Sequence, residues 1–273
     1  MIARSALMTL LLLANGCASV PAAPAKSARP VRVMSLNQCT DQLVLALLPP
    51  DRIASVTWLS RDPRFSSEVA AARTVAANRG TVEEVARTAP DLIVTDTFSN
   101  PAGRVLLRRL GYPMLEVDDA GTVDDIRRNV RRIAAAVGER ARGDAMIARM
   151  DRALTPDPDH GLRVAAWDRD GMASGPMLRV VLKAAGLTDV GQGAGDVETL
   201  LATAPDLLID REDHAPTPSL GDNRGRHRLV RERWTPDRRL TIPRASLFCA
   251  TPAIGTAAMA LKRQVRALRG AGA

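Results

Sequence analysis

Residues 80–94 read GTVEEVARTAPDLIV, and residues 195–209 read GDVETLLATAPDLLI. Gly, Val, Glu, Thr, Ala, Pro, Asp and Leu coincide in one register, 8 of 15 positions at an offset of 115 residues. Helices resemble one another by composition alone. A matched Gly, Glu, Pro and Asp does not arise that way, so the strings are two copies of one supersecondary unit. In each copy a loop Gly precedes a short helix whose first turn carries Glu83 or Glu198, where the helix macrodipole favours a carboxylate. Pro90 or Pro205 stops that helix, and the Asp behind it starts the turn into a buried strand. A chain carrying this unit twice is expected to have two similar lobes.

Working outward, Val31 to Leu36, Ile53 to Val56, Leu92 to Thr95 and Met114 to Val117 predict four strands, each separated by a segment of helical length. A second set follows at Leu162 to Trp167, Leu187 to Val190, Leu207 to Asp210 and Leu240 to Pro243. Strands alternating with helices imply a parallel, doubly wound α/β sheet in each lobe. Between the sets, Thr122 caps a helical pattern in which Ile126, Val130, Ile133 and Val137 recur at helical spacing. Read as one interlobe helix over 122–154, it would measure about 50 Å, with Gly138 and Gly143 as the places to break or bend it. The expected organisation is an N-terminal lobe over 31–121, the interlobe helix over 122–154 and a C-terminal lobe over 155–273, with a ligand cleft between the lobes.

The first residues bear on compartment. Arg4 precedes an apolar run from Ala6 to Ala14, too short to span a membrane but suited to a secretory signal. Residues 1–17 are therefore read as a signal peptide and the mature protein as periplasmic. Ala14 to Cys17 resembles the lipobox of bacterial lipoproteins, with Cys17 as the lipidated residue, although Ala14 and Asn15 depart from the usual pattern. Ordinary cleavage near Ala22 is the other reading. Residues 18–30, rich in Ala, Pro and Ser, form a tether. The net charge is +8, but Arg residues alternate with acids as on solvated helix faces, so nucleic acid is not the expected partner.

Two lobes, an export signal and the repeat together resemble the periplasmic binding proteins for ferric siderophores, haem and vitamin B12. VRVMSLNQCTDQLVLALLPPDRIASVTW (31–58) resembles that family's first strand, helix and second strand, and GPMLRVVLKAAGLTDVG (175–191) its second-lobe opening. The resemblance spans about residues 31 to 268. It implies a monomeric ABC-importer component that holds its ligand between the lobes and delivers it to a permease dimer with its ATPase. It also implies that one surface carboxylate per lobe, here Glu83 and Glu198, docks on permease arginines; helix capping is the competing role for both.

In open α/β sheets ligands bind beyond the carboxyl ends of strands. Four of the seven aromatic residues, Trp58, Phe98, Trp167 and Phe248, fall there and are expected to line the cleft. Arg61, Arg104 and Arg169 lie beyond three of the same strands and would suit an anionic chelate. Asn37 and Gln38 end the first strand and offer donors. Cys39 and Cys249 are placed on opposite lobes, which leaves a disulfide across the cleft and two buried thiols as open readings.

Among rivals, a zinc-binding importer component would need converging ligands, yet His160, His214 and His227 show no ligand spacing. An enzyme on the same scaffold would need a G-x-G-x-x-G after a strand, a G-x-S-x-G elbow or a P-loop, and none occurs. The expectation is therefore no catalytic residues, no protein-bound metal and no cofactor, with cobalamin or another corrinoid first as ligand, a ferric siderophore second and haem third.

Overall fold

The computed structural model describes residues 30–168, 171–173, 175–191, 196–211 and 227–271. The signal peptide, Cys17 and most of the tether lie outside them. Lobe one contains β1 (Val33–Ser35), α1 (Gln38–Leu47), β2 (Ile53–Thr57), α2 (Val69–Ala72), β3 (Ala77–Asn78), α3 (Val82–Thr88), β4 (Leu92–Asp96), α4 (Pro101–Arg109) and β5 (Met114–Val117). Its five strands are all parallel in the order β3-β2-β1-β4-β5. Lobe two contains β6 (Leu162–Asp168), β7 (Gly171–Ala173), α7 (Pro176–Ala184), β8 (Leu187–Asp189), α8 (Val197–Thr203), β9 (Leu207–Arg211), α9 (Arg228–Arg233), β10 (Arg239–Ile242), α10 (Ala245–Phe248) and α11 (Ile254–Ala271). There β10, β9, β6 and β8 run parallel, and among the described residues only β7 pairs antiparallel, with the end of β6.

The repeat folds as the same unit in both lobes. Helices α3 and α8 end on Ala89 and Ala204, both left-handed (φ 46° and 45°), and the next carboxylate then reaches across to the first strand of its lobe. Asp91 Oδ2 accepts from the amides of Val31 and Arg32 at 3.0 Å each, while Asp91 N–H donates to Arg32 O at 3.0 Å. In lobe two Asp206 Oδ2 accepts from Arg163 N at 2.8 Å, and Asp206 N–H donates to Arg163 O at 2.8 Å. The guanidinium of the clamped residue closes the helix end, Arg32 onto Thr88 O and Arg163 onto Thr203 O. Thus the Asp of the repeat does more than start a turn. It pins the beginning of the central strand.

The single interlobe helix is not formed. Residues 122–154 fold as two helices, α5 (Val123–Ala136) and α6 (Arg140–Leu154), packed as an antiparallel hairpin. The cause is Gly138, whose left-handed backbone (φ 74°) lets the Glu139 amide donate back to Ala134 O at 2.7 Å, a capping pattern that ends α5. Gly143 does not bend a helix; it gives room, since a Cβ there would stand 2.5 Å from the Cβ of Ala134. The hairpin is laced by Arg127 to Asp151 at 2.8 Å. Helix α5 packs on lobe one and α6 on α7 and α11 of lobe two, so the chain crosses between lobes at 137–139. Arg52 holds that crossing, donating to Val137 O and Glu139 Oε1 at 2.6 Å each.

The main core is continuous through both lobes, joining Val33 and Val44 of lobe one to Ile133, Met150, Val164 and Leu261. Outer layers lie beyond each sheet, Met34 with Val85 and Ile93 in lobe one, Ala165 with Leu200 and Leu208 in lobe two. Val85 and Leu200, like Ile93 and Leu208, are equivalent positions of the repeat. Among the described residues no helix is long and apolar enough to cross a membrane.

Replacing Asp91 by Ala should lower the unfolding free energy by about 1–2 kcal/mol through loss of two charge-assisted bonds. Asp206→Ala should cost a similar amount, and the two should add because they lie in different lobes. Urea denaturation followed by circular dichroism measures this, and a double variant within about 0.5 kcal/mol of wild type would dismiss the clamp as a stabilising element.

Candidate functional site

In lobe one the connections leave β1 towards β2 on one side, and the chain returns to β4 on the other, so the topological switch lies between β1 and β4. Asn37 closes that crevice. Its Oδ1 caps α1 by accepting from Cys39 N (2.8 Å) and Thr40 N (3.2 Å), and its Nδ2 donates to Asp96 Oδ2 (2.7 Å) and Ser99 Oγ (3.3 Å). Gln38 donates to Phe65 O at 3.2 Å. Both expected ligand donors are thus already committed to holding strand-end loops together. A recess of about 40 Å³ sits here, bounded by Asn37, Cys39, Asp96, Phe98 and Ala250.

Phe98, 62% exposed, stands beside this recess after β4, and Trp58, 55% exposed, opens the turn after β2. One strand separates β2 from β4, so the two rings rise from positions about 10 Å apart in the sheet. The Trp58 turn is anchored from below. Asp41 of α1 accepts from Thr57 N (3.0 Å), Thr57 Oγ1 (2.5 Å) and Ser60 Oγ (2.5 Å), all on Oδ2. Burial is the larger influence on this carboxyl and, against those hydrogen bonds, raises its pKa to about 6.

From lobe two, Phe248 is 46% exposed and meets Phe65 edge to face, with ring centroids 4.8 Å apart. Phe65 was not among the expected cleft residues because it lies eight residues beyond its strand. With it, all three Phe residues of the chain gather at this face. Beside them Cys39 and Cys249 are bonded, with Cα atoms 5.3 Å apart, so the disulfide reading holds over that of two thiols. The bond ties the start of α1 to the loop after α10.

Trp167 does not line the cleft; it is 1% exposed. Side chains alternate along β6: Val164 and Ala166 face the central core, whereas Ala165 and Trp167 face the layer formed with Leu200, Leu208, Val230 and Trp234. Arg61 is also spent, donating to Ala72 O (3.3 Å) and Val75 O (2.7 Å). Arg104 is held by Glu116 at 3.1 Å and by two backbone carbonyls. Arg169 lies outside the described residues. Arg64 stands 5.1 Å from the Phe65 centroid and pairs with Asp62.

The competing roles of the repeated carboxylates separate here. In α3 the capping box is made by Thr81 with Glu84, not Glu83, and in α8 the cap is Asp196 on Thr199 N at 2.7 Å. Glu83 and Glu198 are exposed in the first turns of helices that follow β3 and β8, hence at the cleft end of each lobe. Neither pairs with a described residue. No three His, Cys, Asp or Glu side chains group as a metal site among the described residues.

Residues 33–158 match the family model described as periplasmic binding protein. Over that stretch the chain is similar to the periplasmic binding proteins. Solved structures extend the likeness over both lobes. A periplasmic heme binding protein from Pseudomonas aeruginosa is 18% identical with a TM-score of 0.60, over 85% of this chain and 91% of that one. The vitamin B12 binding protein BtuF of Vibrio cholerae is 17% identical with a TM-score of 0.58, over 88% and 98%. The molybdate periplasmic binding protein MolA of Haemophilus influenzae is 13% identical with a TM-score of 0.66, over 90% and 88%. At such identities what the chain shares with these structures is the fold. No curated protein matches the sequence.

Asp41 makes this fold pH-dependent in a defined direction. Its folded pKa is above the unfolded 3.8, so the folded state binds the proton more tightly and stability from this group falls as pH rises from about 4 to 6, then stays level. Relative to Asp41→Asn, the wild type should lose about 3 kcal/mol across that window. Parallel denaturation curves at pH 4 and 7 test it; a wild-type-minus-variant difference that does not change with pH would place the titration elsewhere.

Proposed function

We propose that this chain is the substrate-binding component of an ABC importer, holding a metal chelate, a corrinoid such as cobalamin or a ferric siderophore, between its lobes for delivery to an inner-membrane permease. The observation that carries the reading is Trp58, a large aromatic kept more than half exposed on a turn that Asp41 anchors through three hydrogen bonds. Exposing an indole forgoes burial worth about 1.5–3 kcal/mol, and anchoring its turn keeps it from collapsing inward. With Phe98 across β1 and Phe248 on the facing lobe, it supplies flat apolar surface in three directions.

A corrinoid or siderophore arrives with its metal already coordinated by the chelator. Such a ligand asks for shape and apolar contact rather than protein donors at the metal. The commitment of Arg61 and Arg104 to backbone carbonyls favours the corrinoid over a strongly anionic siderophore. Delivery rests on Glu83 and Glu198, equivalent carboxylates whose helices are capped by other residues, leaving both to meet permease arginines. The alternative, an enzyme on this scaffold, has no nucleophile, base and oxyanion donor set converging at the strand ends among the described residues.

Titrating cyanocobalamin or a ferric siderophore should quench tryptophan fluorescence with one ligand per chain and raise the melting temperature. Trp167 and Trp234 are buried, so Trp58→Phe should abolish most of the quench. If neither class of chelate alters fluorescence or melting, the chelate-carrier reading fails.

Delivery is tested separately by reconstituted uptake. Glu83→Gln with Glu198→Gln should leave soluble affinity intact and reduce uptake at least about tenfold, the loss of one charge-assisted contact or more. Normal uptake by that double variant would remove the docking role from both residues.

A further inference from the structure

A cavity of about 550 Å³ lies one to two turns further along α1 than Cys39, between that helix and helices α6 and α11. Leu43 and Thr251 line both this cavity and the small strand-end recess, and so stand between them. Its walls come from both lobes: Gln42, Leu43, Ala46 and Glu68 from one, the faces of α6 and α11 from the other. The volume is that of a site for a small organic molecule. At Gly255, on the cavity wall, α11 approaches α6 so closely that a Cβ would meet Ala153 Cβ at 3.1 Å and Met150 Cα at 3.3 Å.

The polar groups in this cavity divide into two kinds. Gln42 is occupied: its Nε2 donates to Phe65 O at 3.3 Å, and its Oε1 accepts from Ser67 Oγ at 2.8 Å. Arg149, Arg263 and Glu68 are not. None of the three pairs with a described side chain, whereas Arg127 and Arg128 of the neighbouring hairpin are held by Asp151, Asp124 and Asp125. Two arginines and one glutamate thus border the cavity, and charge there is net positive. The apolar lining includes Met146, Met150 and Met259, whose flexible thioethers fit irregular hydrocarbon shapes. Burial raises the pKa of Glu68, which makes its carboxyl easier to neutralise beside an incoming anion.

We propose that this cavity is a second binding site, taking an amphipathic organic anion with its carboxylate or phosphate head between Arg149 and Arg263 and its apolar body along Met146, Met150 and Met259. Guanidinium pairs select such heads by charge-assisted hydrogen bonds, and the methionine surface selects against a bare inorganic anion. The site is independent of which chelate fills the strand-end cleft. Because its walls belong to opposite lobes, an occupant would stiffen the seam between them.

The probes are decanoate and decyl phosphate, below the concentrations at which they form micelles, with decanol and inorganic phosphate as tail-only and head-only controls. Calorimetry and thermal melts of the full protein should give one amphiphile per chain and a raised melting temperature for at least one of the two anions. Arg149→Gln with Arg263→Gln should weaken that binding at least about tenfold while leaving chelate-induced Trp58 quenching unchanged. Thr256→Phe, at an exposed lining position, should block the cavity without touching the guanidinia. Which of the two anions binds more tightly assigns the head as carboxylate or phosphate. Absence of binding by both, equal binding by the double Gln variant, or binding of decanol or inorganic phosphate as strong as that of the amphiphiles would overturn the proposal.

Discussion

Asp91 and Asp206 each grip the beginning of a central strand, and the arrangement of both lobes follows from where those strands begin. A strand has a side-chain period of two, so a shift of one residue would exchange the faces of β1 or β6. By accepting from the amides of Val31 and Arg32, Asp91 fixes β1 against β4 with Val33 opposite Leu92. That register places Ser35 and Asn37 at the switch crevice, where Asn37 reaches Asp96, and it sends Met34 outward and Val33 inward. In lobe two Asp206 sets Val164 opposite Leu207, with the result that Trp167 turns into the outer layer. The fate of one aromatic is thus decided by a carboxylate at the other end of its strand.

The two lobes share this clamp but use their cleft ends differently. In lobe one every strand-end group is braced: Asn37 by Asp96 and Ser99, the Trp58 turn by Asp41, Arg104 by Glu116. Polar side chains do the bracing, and aromatic rings remain uncovered above them. This division favours a ligand recognised by flat contact over one recognised by hydrogen bonds from the loops. It also explains why a buried carboxyl with a raised pKa sits so close to the cleft: Asp41 bears a desolvation cost in order to fix an exposed indole.

Much of this was legible in the sequence, for physical reasons. All eight runs read as strands are strands, and the central ones were the plainest, since parallel strands buried on both faces appear as largely apolar segments. Ala77–Asn78 and Gly171–Ala173 escaped notice because such short edge strands carry no apolar run. The repeat announced the two lobes because Pro and Asp at fixed places report backbone geometry, which composition does not. Residues 122–154 misled because helical spacing of Ile126, Val130 and Ile133 continues to Val137, one residue before Gly138 reverses the chain. Gly138 was itself a stop signal, outweighed there by the periodicity. Trp167 could have been placed by counting alternation from Val164. The engagement of Arg61 and Arg104 could not, because their acceptors are backbone carbonyls brought near only by the fold.

The bond between Cys39 and Cys249 joins residues 210 positions apart. A chain made from its amino end cannot form it until Cys249, five residues before α11 begins, has been added. Until then the crossing at 137–139 is the one covalent link between the halves. Closure therefore comes late in chain order, and it fastens the start of α1 to a part of lobe two made well after it. Because the core runs unbroken through both lobes, the bond secures packing that the side chains of both halves make together.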